Sequence, residues 1–68
     1  MPTIKVELIE GRTVAQKAAL VKELTDACVR VLGSNAASVD VLFHDIPAHN
    51  WATGGELWSE KLAKPKTE

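Results

Sequence analysis

Residues 3–9 alternate, with Ile4, Val6 and Leu8 on one side and Thr3, Lys5 and Glu7 on the other. A period of two predicts a half-buried strand. Glu10-Gly11-Arg12 breaks the alternation. Thr13 followed by Gln16 has the spacing of a capping box, in which each residue satisfies a free donor of the other at a helix N-terminus. From Val14 to Leu32 the apolar residues recur at helical spacing. Val14, Ala18, Val21, Cys28 and Val31 form a stripe that Leu20, Leu24, Ala27 and Leu32 widen. Gly33 fits the left-handed residue that ends a helix. Val39, Val41 and Phe43 then alternate with Asp40 and Leu42, predicting a second strand that stops before Pro47.

Strand, helix, strand in that order make a βαβ unit, with a right-handed crossover and parallel strands. Ile46 to Trp51 reads as irregular, and Gly54-Gly55 as the turn of a small hairpin. Lys61 to Glu68 is polar, contains Pro65 and reads as a loose tail, with residues 1–68 forming a single domain whose last stretch, about 62–68, is that tail. Two parallel strands and one helix leave both sheet edges and one sheet face uncovered. Parallel sheets are normally covered on both faces, and open edges invite pairing. The pattern therefore predicts an assembly in which sheets from several chains join.

Size sharpens that expectation. A chain of 68 residues buries only about 60% of the surface its unfolded form exposes. Disulfides, metals or oligomerisation usually compensate. Cys28 is the only cysteine, so no disulfide forms within the chain. Cys28, His44 and His49 lack the spacing of a zinc site. Oligomerisation remains. The net charge of −1 gives no electrostatic footprint for nucleic acid. No apolar run approaches the roughly 20 residues of a membrane span, and residues 1–7 do not resemble a signal peptide. A cytoplasmic location is the expectation, and an unpaired cysteine agrees with it.

Few residues carry candidate chemistry. Methionine before a small residue is expected to be removed, which would leave Pro2 with a free secondary amine. An α-amino group titrates near 7.7–8.0, and burial lowers an amine's pKa, so such a group is suited to act as a base. Taken by itself, a proline at position 2 reads first as a permissive start to a strand. Arg12 stands at the strand-to-helix turn, where free N–H groups attract anions and a guanidinium fork suits a carboxylate. The alternative is a solvated turn arginine. Trp51 suits either a pocket wall or a subunit contact, and Trp58 reads as packing. Cys28 reads as a core thiol. His44 and His49 read as surface or interface residues. Asp40 and Asp45 are open to two readings, an acid/base pair or exposed strand-end carboxylates.

Taken together, Met1-Pro2 before the first strand, Leu8-Ile9-Glu10-Gly11-Arg12-Thr13 with Gln16-Lys17, and Asn50-Trp51-Ala52-Thr53-Gly54-Gly55-Glu56-Leu57 resemble the 4-oxalocrotonate tautomerases. The resemblance extends to about Lys61. It implies an α/β (α+β) tautomerase fold, a β-α-β unit with a C-terminal hairpin. Subunits pair into a four-stranded sheet and assemble as hexamers, trimers of dimers. It also implies cofactor-free and metal-free tautomerisation of a small enol or dienol acid to a conjugated keto acid. In that reading Pro2 is the general acid/base, Arg12 binds a substrate carboxylate, and Trp51 stands where family members carry a phenylalanine near the proline.

Asp40 departs from the family pattern, taking the place of a second arginine that engages the substrate. A carboxylate there repels a dianionic substrate and favours a protonated amine at Pro2. The expected substrate is accordingly a monocarboxylic enol such as phenylenolpyruvate rather than a dicarboxylate. Two other readings keep the same fold. One is a non-catalytic oligomeric binding module, supported by the missing arginine. The other is a decarboxylase or hydratase acting on a small unsaturated acid, with Asp40 activating water.

Overall fold

Strand β1, Thr3–Ile9, pairs in parallel with β2, Asp40–Ile46, and the crossover between them is a helix, as the hydrophobic periods predict. The computed structural model describes residues 2–63. The removal of Met1 and the part of the expected tail beyond Ala63 lie outside the described residues. Pairing runs from Thr3 opposite Asp40 to Ile9 opposite Ile46. The Asp40 N–H donates to the Pro2 carbonyl (3.0 Å) at one end, and the Glu10 N–H donates to the Ile46 carbonyl (2.9 Å) at the other.

Helix α1, Val14–Ala27, starts at the expected capping box. The Gln16 N–H donates to Thr13 Oγ1 (3.1 Å), and the Thr13 N–H donates to Gln16 Oε1 (2.9 Å). The periodic segment does not stay α-helical to Leu32. Its last turn, Cys28–Leu32, widens to π geometry. Gly33 then closes it with φ 72° and ψ 19°, and the Ser34 N–H donates back to the Cys28 carbonyl (3.4 Å). That bond reaches one position further back than the closing bond of a Schellman motif, in keeping with the widened turn, and it satisfies a carbonyl left over at the helix end.

Helix α1 lies on the face carrying Val6, Leu8 and Phe43. Lys17 shows this directly: its ammonium forms a salt bridge with Asp45 and sits 5.6 Å from the centre of the Phe43 ring. Asp45 is thus on the helix side of β2, and it cannot form the acid/base pair with Asp40 that the sequence left open. An odd number of positions separates the two along the strand, so their side chains point to opposite faces.

The helix stripe is only partly covered. Among the described residues Cys28 alone is buried, at 8% exposure. Val14, Val31 and Leu32 are 82%, 73% and 64% exposed. All three stand at the two ends of the helical segment, which at about 1.5 Å per residue is longer than the seven-residue strands beneath it at about 3.3 Å per residue, so its ends overhang the sheet. The chain is correspondingly extended. Its radius of gyration is 15.9 Å, against about 11 Å for a compact chain of this length. Its accessible surface, 5244 Å², exceeds the roughly 4,200 Å² of a compact monomer of this size.

After β2 the chain makes a 3-10 turn at Ala48–Asn50 and a hairpin of β3, Ala52–Thr53, and β4, Glu56–Leu57, around Gly54-Gly55. The expected loose tail begins too early. Lys61, Leu62 and Ala63 belong to a second helix, α2, spanning Trp58–Ala63. Three contacts of Trp58 hold its start. The backbone N–H donates to the Trp51 carbonyl (2.8 Å), the indole N–H donates to Thr53 Oγ1 (2.8 Å), and the Lys61 ammonium lies 4.7 Å from the ring centre. Among the described residues no helix is long and apolar enough to cross a membrane.

Candidate active site

The four residues singled out by sequence fall into two groups at opposite ends of the two-stranded sheet. Pro2 and Asp40 stand where β1 and β2 begin. Pro2 is half-buried, and its carbonyl is held by the Asp40 N–H at 3.0 Å. Asp40 is exposed and lies opposite Thr3, on the sheet face away from α1.

Arg12 and Trp51 stand at the other end. Gly11, with φ 127°, adopts a conformation that a Cβ would strain. It turns the chain from β1 towards α1 and places Arg12 at the corner. The guanidinium has no ion-pair or hydrogen-bond partner among the described residues. Arg12 borders two hollows. One, of about 310 Å³, lies between α1 and the sheet and is lined by Val6, Leu8, Gln16, Lys17, Leu20 and Phe43. The other, of about 370 Å³, is lined by Ile9, Glu10, Gly11, Trp58 and Leu62. Trp51 is half-buried and does not line either hollow. Trp58, read as packing from sequence, supplies the aromatic wall beside Arg12. Its companion Leu62 was hidden because α2 is too short to show a hydrophobic period.

A strand of seven residues spans about 23 Å at the usual rise. Pro2 and Arg12 flank that strand, so one copy of the chain cannot bring both to one small molecule. His44 lies opposite Glu7 on the helix-free face, beside a hollow of about 350 Å³ that Lys5, Leu42 and Phe43 also line. His49 is exposed in the 3-10 turn. Cys28 is a free, buried thiol. Among the described residues no group of three or more His, Cys, Asp or Glu could hold a metal ion.

The family model described as Tautomerase enzyme matches residues 2–61, which takes in both ends of the sheet. This chain belongs to the tautomerase family. A probable tautomerase of Ralstonia nicotianae is 49% identical over 66 residues, covering 97% of this chain and 94% of that protein. Among solved structures, TomN, a 4-oxalocrotonate tautomerase homologue of the tomaymycin biosynthetic pathway, superposes with a TM-score of 0.90 at 37% identity, covering 96% of this chain and 100% of that one. A heterohexamer 4-oxalocrotonate tautomerase from Chloroflexus aurantiacus gives a TM-score of 0.83 at 28% identity over 88% of this chain and 97% of that one. Tautomerases similar to this chain thus include an oligomer. The mixed α/β fold read from the sequence is the fold of these tautomerase relatives.

Proposed function

We propose that this tautomerase family member converts enol or dienol acids to conjugated keto acids without a cofactor, with Pro2 as general acid/base. Once Met1 is removed, the Pro2 nitrogen is a secondary amine. It takes the proton of the enol hydroxyl, the electron pair moves through the double bond, and the resulting ammonium returns a proton to carbon. Arg12 anchors the substrate carboxylate through its guanidinium fork. Trp51 takes the place of the family's phenylalanine as an apolar wall near the proline amine of the shared site, and Asp40 faces the substrate at the Pro2 end.

The observation that carries this reading is the anchoring of Pro2. The hydrogen bond from Asp40 to its carbonyl holds the residue at the head of β1 and leaves its nitrogen out of the β-ladder. The separation of Pro2 from Arg12 supports an active site shared between copies, in which Pro2 of one chain meets Arg12 of another. A homo-oligomer, a hexamer built as a trimer of dimers with paired sheets, meets this requirement and covers the helix ends. A cytoplasmic location accords with the free thiol of Cys28.

The test compares phenylenolpyruvate ketonisation by protein whose intact mass shows Met1 removed with the same protein retaining Met1. Turnover confined to the processed form is expected, because a retained methionine makes the Pro2 nitrogen an amide. Equal turnover in both, or none in either, would refute catalysis by Pro2. Proton transfer by a positioned group contributes about 10²–10⁴-fold, so Pro2→Ala should lose much of the rate, with the alanine primary amine keeping part of it.

A further inference from the structure

The hollow beside Arg12 has a composition that the tautomerase reading does not by itself explain. Its volume of about 370 Å³ falls within the range of small-ligand sites. One side offers a guanidinium without a partner among the described residues. The other side offers Trp58 and Leu62 from α2, with Ile9 between. The Trp58 ring is held before any ligand arrives, by Thr53 at its indole N–H and by Lys61 against the ring. A wall that is already ordered costs little entropy on binding. Glu10 shares the hollow with Arg12 and disfavours a second anionic group there.

We propose that Trp58 and Leu62 form the subsite for the substrate's apolar tail, so that this enzyme selects an enol acid with one carboxylate, held by Arg12, and an aryl tail lying against Trp58. The proposal rests on the tautomerase reading above and adds to it the residues that set tail specificity. A planar conjugated tail suits an aromatic wall through offset or edge-to-face contact. A short vinyl tail fills little of the same space.

The test measures KM and kcat/KM of the oligomeric protein for phenylenolpyruvate and for 2-hydroxypenta-2,4-dienoate, which has the same single carboxylate and a vinyl tail. Leu62 is 65% exposed, so Leu62→Ser should leave the fold intact. It is expected to lower kcat/KM for the aryl substrate about threefold. Trp58→Ala should lower it about tenfold, mainly through KM, and Trp58→Phe should restore most of the loss. The vinyl substrate should change by less than about twofold in every variant. Equal losses on both substrates, or no loss on either, would overturn the tail subsite while leaving the tautomerase intact. A parent protein inactive on both substrates would overturn the tautomerase reading, and the subsite with it.

Discussion

Asp40 and Pro2 are joined through their backbones, the N–H of the first donating to the carbonyl of the second over 3.0 Å. The carboxylate of Asp40 is thereby tied to the same end of the sheet as the proposed base. Its side chain is exposed and points away from α1, so it is free to act on an incoming anion without disturbing the packing.

Asp40→Arg reverses the charge at that position. It should raise kcat/KM for the dicarboxylate 2-hydroxymuconate, relative to phenylenolpyruvate, by about tenfold, or ~1.4 kcal/mol. Steady-state kinetics on both substrates measures the ratio. An unchanged ratio would remove Asp40 from substrate selection.

Leu42 is 51% exposed on the helix-free face of the sheet, between Lys5, Glu7 and His44. If that face is covered by other copies, Leu42→Glu buries a charge and weakens assembly. Sedimentation should show the parent as an oligomer and the variant shifted towards smaller species at equal concentration. A variant of unchanged mass would place the interface elsewhere.

The Thr13–Gln16 box supplies two hydrogen bonds at the start of α1. Thr13→Ala should cost about 1 kcal/mol, seen as a lower urea midpoint at fixed protein concentration. Thr13→Ser should recover most of it, because the hydroxyl is the group that acts.

Gly33 tests the helix end. Nothing lies within 4 Å of a Cβ built there, so Gly33→Ala meets no steric neighbour. Its φ of 72° nonetheless costs an alanine about 1–2 kcal/mol. Asparagine tolerates this region better, and Gly33→Asn should lie between the two in thermal midpoint.

The parts readable from sequence were those written in local spacing. The alternation of Ile4, Val6 and Leu8 gave β1 its span. Thr13 and Gln16 marked the start of α1 and Gly33 the end of the helical segment, because capping depends on residues within one turn. The glycine pair marked the hairpin. Pro2, Arg12, Trp51 and Asp40 were found through motif and resemblance, and their joint role at one site remains a proposal.

What sequence alone determined is the order of elements from β1 through the hairpin and the faces of the strands, and it raised the expectation of partners. Each follows from short-range periodicity or from the ratio of surface to volume in a chain of 68 residues. Only the tertiary structure decided that Trp58, rather than Trp51, walls the hollow with Arg12. It also revealed α2, showed Asp45 paired to Lys17 beneath α1, and left Val14, Val31 and Leu32 overhanging the sheet. Those outcomes depend on how a hairpin folds back and how far the sheet extends beneath the helix. Both are set by contacts between residues distant in sequence, which a local pattern does not encode.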